Sequence, residues 1–202
     1  RYDVRFYGLD VAMTNQNTSI SGSTTILASA KEALDSALIE LFPSLSVSQI
    51  QLNGQPTTYS RKANKIKIPV NASSGQLFEL KIDYSGTPPT ASTNPLGGAG
   101  MTNASSPSWG NKVTWSLSEP FSAYEWWPCK QSLTDKADSC AVNITVPSAC
   151  KAGSNGVLEQ IIDLGNGTTR YEWKHRHPID YYLISVAVSK YVDYTIYANP
   201  VG

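Results

Sequence analysis

One stretch decides how this chain can be interpreted, Trp115-SLSEPFSAYEWWPCKQSLTDKAD-Ser139. It combines carboxylates, indoles and two prolines, and its apolar residues follow neither a helical nor a strand period. Pro120 and Pro128 each lack a backbone donor and favour an extended preceding residue, so we predict a shaped loop held by its large side chains. Such loops often carry functional residues, and this one is therefore the first candidate for a site.

The motifs of this stretch resemble the N-terminal domain of the zinc aminopeptidase family that includes aminopeptidase N and leukotriene hydrolase. They are Leu117-Ser-Glu-Pro120, Trp126-Trp-Pro-Cys-Lys130 and Asp135-Lys-Ala-Asp-Ser139. Other segments are similar to the family's opening hairpin (6–11 and 20–26) and to its closing strands (173–187). Together these matches span nearly the whole chain.

The length and the missing motifs indicate what part of such an enzyme this is. At 202 residues the chain suits one core, and a single N-terminal β domain over residues 1–202 is expected. The family's zinc is held by a His-Glu-x-x-His helix and a later Glu, and this sequence contains no His-Glu pair. The resemblance therefore implies a domain without metal or cofactor of its own, inactive alone. Its partner would be a downstream catalytic domain that holds the zinc.

Charge and hydropathy exclude several classes of partner. Sixteen basic and sixteen acidic residues balance, which favours neither nucleic acid nor an anionic membrane. No apolar run approaches the roughly 18 residues of a membrane span, and the sequence opens on a strand-like pattern, so a trimmed, soluble piece of a longer protein is expected. Asn-x-Ser/Thr triplets suit an exported protein, although polar turns also produce them by chance. They begin at Asn17, Asn71, Asn103, Asn143 and Asn166.

Alternating apolar residues predict an all-β fold, an antiparallel, saddle-like sandwich of two sheets without a long helix. The first strand changes phase near Gly8, which predicts a bulge there. Residues 29–42 have helical spacing, but the family resemblance implies a strand over 36–41, and we predict that strand. Asn53-Gly54 and Asn166-Gly167 predict tight hairpins. Further strands are expected at 20–28, 46–52, 57–61, 65–70, 76–85, 140–146, 156–164, 171–176 and 181–197.

The segment from Gly86 to Asn111 is rich in Gly, Pro, Ser, Thr and Asn, and we predict a mobile surface loop. Within it, residues 97–103 superficially resemble the family's Gly-x-Met-Glu-Asn amine-binding strand. The Glu is absent, and the match precedes the predicted loop within residues 115–139 instead of following it. Residues 97–103 are therefore not assigned an amine-binding role.

The resemblance implies a substrate-binding role for Glu119. In related enzymes an acidic or amide residue nine positions before the Pro-Cys pair binds the α-ammonium of peptides with a free N-terminus. Glu119 stands nine residues before Pro128. Relatives often carry an amide two residues earlier, where this chain has Leu117. The competing interpretation is a solvated turn carboxylate.

Other residues near the loop are expected to support it. Trp126 and Trp127 are interpreted as core or interdomain packing, in an apolar patch that the catalytic domain would cover. Asp135, Lys136 and Asp138 are interpreted as a structural ion-pair network.

His175 and His177 share one face of a strand but lack a third ligand, which favours a structural interpretation. Among Cys129, Cys140 and Cys150 at most one disulfide can form, and Cys129 is interpreted as a buried apolar residue.

The alternative function is a secreted glycan-binding or adhesive β-sandwich without enzymatic activity. It would use exposed indoles such as Trp109, Trp126 and Trp127. It explains the composition but not the ordered series of motifs.

Overall fold

The computed structural model describes residues 1–90 and 99–198. In that part of the chain lie fifteen strands, two 3-10 turns at Ala123–Glu125 and Tyr181–Leu183, and no α-helix. The strands are β1 (Tyr2–Met13), β2 (Ile20–Ala30), β3 (Leu34–Glu40), β4 (Leu45–Leu52), β5 (Gln55–Pro56), β6 (Ser60–Lys62), β7 (Lys65–Ala72), β8 (Leu77–Gly86), β9 (Met101–Ser105), β10 (Lys112–Ser116), β11 (Ser139–Pro147), β12 (Lys151–Ser154), β13 (Val157–Asp163), β14 (Thr168–His175) and β15 (Val186–Ser189).

The strands form three sheets over one hydrophobic core. Eight strands follow the order β13-β14-β11-β1-β2-β8-β4-β5, four the order β12-β15-β10-β9, and three the order β3-β7-β6. The predicted all-β class is confirmed. Two features were not predicted, namely the division into three sheets and the parallel pairing of β1 with β11. A parallel pair needs a long connection, and here the intervening strands provide it.

Strand β1 lies inside the large sheet and shows where the predicted bulge falls. Its register with β2 shifts between Val4 and Phe6, so the bulge is at Arg5 and the position predicted near Gly8 is wrong. After the bulge, alternate residues from Tyr7 to Met13 are buried. The central loop packs against this inner side of the sheet.

The strand predicted over residues 36–41 is confirmed by β3, despite helical spacing in the sequence. Ala37 and Ile39 are buried and the strand pairs with β7, so tertiary pairing outweighs the weak helical preference. The Asn53-Gly54 turn is also confirmed, with φ of 50° and 77° at the two residues. These positive values are the conformation that the tight hairpin requires.

Two predictions about irregular segments need correction. The predicted loop 86–111 contains β9, which pairs with β10, while residues 91–98 of that loop lie outside the described part of the chain. The predicted strand 181–197 is confirmed only over the four residues of β15. Neither β10 nor β12 was predicted, and both pair with β15.

Local side-chain bonds explain why β9 forms where composition indicates a loop. The Asn103 amide donates to the carbonyls of Asn15 and Val113 and to Thr114 Oγ1, at 2.8, 3.2 and 2.8 Å. Val113 and Thr114 lie on the neighbouring strand β10, whereas Asn15 comes from a distant part of the chain. No helix in the described residues is long and apolar enough to cross a membrane.

Candidate functional site

The central loop runs from Leu117 to Lys130, between β10 and β11, and carries the 3-10 turn Ala123–Glu125. Glu119 lies at its beginning, exposed, and joined to Pro120 by a cis peptide bond. The Tyr181 hydroxyl donates to the carbonyl of Pro120 at 2.6 Å. The position of Glu119 is therefore defined by a proline and by a bond from a distant aromatic residue.

Trp126 and Trp127 anchor this loop from inside the core. Both are fully buried, the Trp126 indole donates to Ser118 Oγ at 3.0 Å, and the Trp127 ring meets Tyr7 edge to face at 4.8 Å. The prediction that they form an exposed apolar patch is wrong. Large indoles bury so much apolar area that the core of this domain is their most favourable place. A glycan site built on these two rings is excluded for the same reason.

The predicted charged residues Asp135, Lys136 and Asp138 join different partners. Asp135 pairs with Lys130, Lys136 Nζ lies 3.5 Å from Asp180, and Asp138 Oδ2 lies 3.5 Å from Arg5. These are separate contacts between the segment after the loop and its neighbours. Only the Lys130–Asp135 pair is well shielded from solvent, with side chains 19% and 4% exposed.

The Lys130–Asp135 pair fixes the end of the loop against β1. Asp135 Oδ1 accepts a bond from the Val4 amide at 3.3 Å, and Lys130 Nζ donates to the Tyr2 carbonyl at 2.6 Å. The Lys130 amide donates to the Tyr7 hydroxyl, and burial raises the pKa of that phenol well above its usual value. Tyr7 is therefore a neutral acceptor at physiological pH.

Sequence reasoning missed Glu125, which is 1% exposed. Its Oε2 accepts a hydrogen bond from the Gly100 amide at 2.6 Å. Gly100 lies just before β9, in the glycine-rich segment predicted to be a mobile loop. A carboxylate beside two tryptophans carries no periodic signal, so only the fold reveals this contact.

The histidines and cysteines have no assigned chemistry. The rings of His175 and His177 lie 5.9 Å apart, and no group of three or more possible metal ligands occurs within residues 1–90 and 99–198. Cys129, Cys140 and Cys150 are buried free thiols, so the possible Cys140–Cys150 bridge is not formed. Burial raises the pKa of the Cys140 thiol to about 11 and that of Cys129 well above its usual value, which keeps both unreactive.

The geometry limits what the loop can do chemically. Glu119 offers an exposed, well-supported acceptor, which suits recognition of a cation such as an ammonium group. The neighbouring exposed side chains, Leu117 and Phe121, are apolar. Such a surface can orient a ligand, whereas bond cleavage would require further groups.

Comparison with known proteins gave matches among solved structures. No family model and no curated protein matches this chain. A two-domain M1 zinc metallopeptidase bound to L-arginine has a TM-score of 0.83 and 27% identity, covering 93% of this chain and 42% of that one. The Deinococcus radiodurans M1 zinc metallopeptidase bound to a Tyr-Ser-Ala substrate has a TM-score of 0.82 and 26% identity. This match also covers 93% of this chain and 42% of that one.

A more distant match has the same fold. Leukotriene A4 hydrolase from Saccharomyces cerevisiae has a TM-score of 0.71 and 20% identity, covering 93% of this chain and 29% of that one. The chain thus spans less than half the length of each of these structures. What they share with it is the fold of this chain.

Proposed function

We propose that this chain, whose structure is that of the N-terminal domain of the M1 zinc metallopeptidases, caps the active-site cleft of a zinc aminopeptidase. In this role it helps to bind the free α-amino group of peptide substrates. The observation that carries the proposal is Glu119, an exposed carboxylate on a loop whose tryptophans are buried. The structural matches over 93% of the chain support the same conclusion.

The contribution of Glu119 would be binding and orientation. A carboxylate that accepts hydrogen bonds from an α-ammonium forms a charge-assisted contact of about 1.5 to 3 kcal/mol. Because Pro120 and the buried indoles already order the loop, binding would involve little additional ordering cost. The substrate would then present its first peptide bond at a constant distance from this carboxylate.

Zinc belongs, in this proposal, to the catalytic domain of the parent enzyme. The described residues offer no set of three or more ligands and do not fit a zinc ion. Bound in that other domain, zinc would supply an activated water and polarise the scissile carbonyl.

The function is tested by comparing the longer protein with residues 1–202 alone. The reading frame beyond Gly202 is expected to encode His-Glu-x-x-His, and the longer protein to bind one zinc and cleave an aminoacyl chromogenic substrate. Its N-acetylated analogue should not be cleaved, and residues 1–202 should show neither zinc nor activity. A longer protein without that motif, or one zinc per isolated chain, would overturn the proposal.

The surface that meets the catalytic domain is proposed to be an apolar one, here called the docking surface. Trp109, Tyr191 and Val192 line a cavity of about 350 Å³, and Trp109 is 82% exposed. The rest of the docking surface is Tyr194, Ile196 and Tyr197, which are all strongly exposed. Clustered exposed apolar side chains are typical of interfaces, and five of these six lie within residues 191–197. The matched structures are more than twice as long as this chain.

Residues 1–202 alone are therefore expected to self-associate as concentration rises. Replacing Tyr194 and Ile196 together by Ser should lower the association constant at least ten-fold, because it removes apolar area from the contact. Sedimentation equilibrium measures this. The control replaces Val157 and Ile161 by Ser, another exposed apolar pair, 60% and 56% exposed, on β13. If both double variants behave alike, the docking surface is wrongly placed.

A further inference from the structure

Glu125 is the one buried carboxylate of the central loop, and the proposed function does not use it. It is 1% exposed and is the last residue of the 3-10 turn Ala123–Glu125. Its carboxylate accepts a hydrogen bond from the Gly100 amide at 2.6 Å. A polar group in the interior is costly unless hydrogen bonds compensate for the lost hydration. Its presence in this loop therefore calls for a functional explanation.

The contact with Gly100 joins both ends of the segment that carries Glu119. Gly100 donates to Glu125, and its own carbonyl accepts the Leu117 amide at 3.1 Å. Leu117 precedes Glu119 by two residues and Glu125 follows it by six. Gly100 thus forms hydrogen bonds with the first and the last residue of the nine-residue segment 117–125.

The approach of Gly100 is so close that no side chain fits there. A Cβ at this position would lie 2.3 Å from the Ser122 carbonyl oxygen and 3.0 Å from the Glu125 Cβ. Gly100 is also followed directly by β9, which pairs with β10. The sheet therefore sets the position of Gly100, and Gly100 in turn sets the position of the segment.

The segment also has bonds within the loop and to other parts of the chain, such as the Phe42 amide that donates to the Tyr124 carbonyl at 2.8 Å. Ser118 accepts bonds from the Trp126 indole and from the Ser122 amide, both within the loop. The Tyr181 hydroxyl reaches Pro120 from the chain after β14. The link to Gly100 joins both ends of the segment to the residue that precedes β9, the edge strand of the four-stranded sheet.

We propose that Glu125 is a positioning residue for Glu119, acting through Gly100, which deepens the proposed function and rests on it. Without this acceptor, the end of the segment loses its bond to Gly100, and the Glu119 carboxylate moves from the place where an ammonium is bound. Displacements of about 1 Å can cost up to a hundred-fold in enzyme sites. Glu125 itself does not touch the substrate, since it is buried.

The test uses the full-length protein and two probes that differ only in the amino group. Leucine hydroxamate carries the free amine, and isocaproyl hydroxamate is its des-amino counterpart. Glu125→Ala and Gly100→Ala are each expected to weaken inhibition by leucine hydroxamate roughly ten- to a hundred-fold. Inhibition by the des-amino probe should change by less than about two-fold, since it does not need Glu119.

Matched variants separate positioning from general damage. Glu125→Gln keeps an oxygen that can accept the Gly100 bond and should recover most of the loss. Gly153→Ala, where an added Cβ meets nothing within 4 Å, and the exposed Glu79→Ala should leave both inhibition constants unchanged. In the Glu119→Ala background, Glu125→Ala should have no further effect on leucine hydroxamate, because its effect passes through Glu119.

The outcomes distinguish this inference from the proposed function. If Glu119→Ala weakens only leucine hydroxamate but Glu125→Ala weakens both probes equally or neither, the positioning role alone is overturned. If Glu119→Ala does not discriminate between the probes, the proposed function is overturned and the positioning role with it. Amide exchange gives a readout without activity, since Leu117 should exchange faster in Glu125→Ala and normally in Glu125→Gln.

Discussion

The Lys130→Met variant is expected to lose about 3 to 5 kcal/mol of unfolding free energy, because the Asp135 carboxylate stays buried without its cation. The two side chains are 19% and 4% exposed, so water cannot readily replace the lost partner. The change also removes the Lys130 bond to the Tyr2 carbonyl and the ammonium that lies 4.4 Å from the centre of the Tyr2 ring. The loop would lose its strongest tie to β1.

Urea unfolding of residues 1–202 measures this loss, with an exposed ion pair as the control. Glu32 pairs with Arg1 where both side chains are more than half exposed, so Glu32→Gln should cost less than about 1 kcal/mol. Adding Asp135→Leu to Lys130→Met should restore part of the stability, because it removes the unpaired charge. A Lys130→Met loss no larger than that of Glu32→Gln would show that the pair does not stabilise the loop.

Replacement of Glu119 by Ala in the full-length protein is expected to lower kcat/KM for substrates with a free amino terminus roughly ten- to a hundred-fold. This corresponds to about 1.5 to 3 kcal/mol of lost transition-state binding, the size of a charge-assisted hydrogen bond. The zinc content should not change, since Glu119 is not proposed as a ligand. Because the side chain is exposed, the fold should also keep its stability.

Kinetics on an aminoacyl chromogenic substrate, together with metal analysis, test this expectation. Glu119→Gln keeps a hydrogen-bond acceptor without the charge and should lie between the wild type and Glu119→Ala. Equal kcat/KM values for the wild type and Glu119→Ala would mean that Glu119 is only a turn residue.

Many of the individual strands could be predicted from local pattern. In β7 each buried residue is followed by an exposed one, and β8 shows the same alternation except at the half-buried Asp83, because one face of each strand meets the core and the other meets solvent. The tight turn at Asn53-Gly54 could also be predicted from the sequence, because few other residue pairs accept two positive φ angles. The family resemblance was needed at β3, where local propensity favours a helix.

The four-stranded sheet could not be predicted in the same way. Its strands are four or five residues long and contain small or polar residues such as Asn103, Gly153 and Ser189. They form because partners far apart in the chain supply hydrogen bonds, as β10 and β15 do for each other. A prediction from a short stretch of sequence does not include partners that lie so far away in the chain.

The amino-acid sequence by itself determined the all-β class, many of the individual strands, the family resemblance and the candidacy of Glu119. These depend on alternation, turn residues and motif order, which are local properties of the chain. Only the tertiary structure decided that Trp126 and Trp127 are buried, that Lys130 pairs with Asp135 against β1, and that Gly100 reaches Glu125. Burial and hydrogen bonding between distant residues depend on how the sheets pack, and packing is a property of the whole domain.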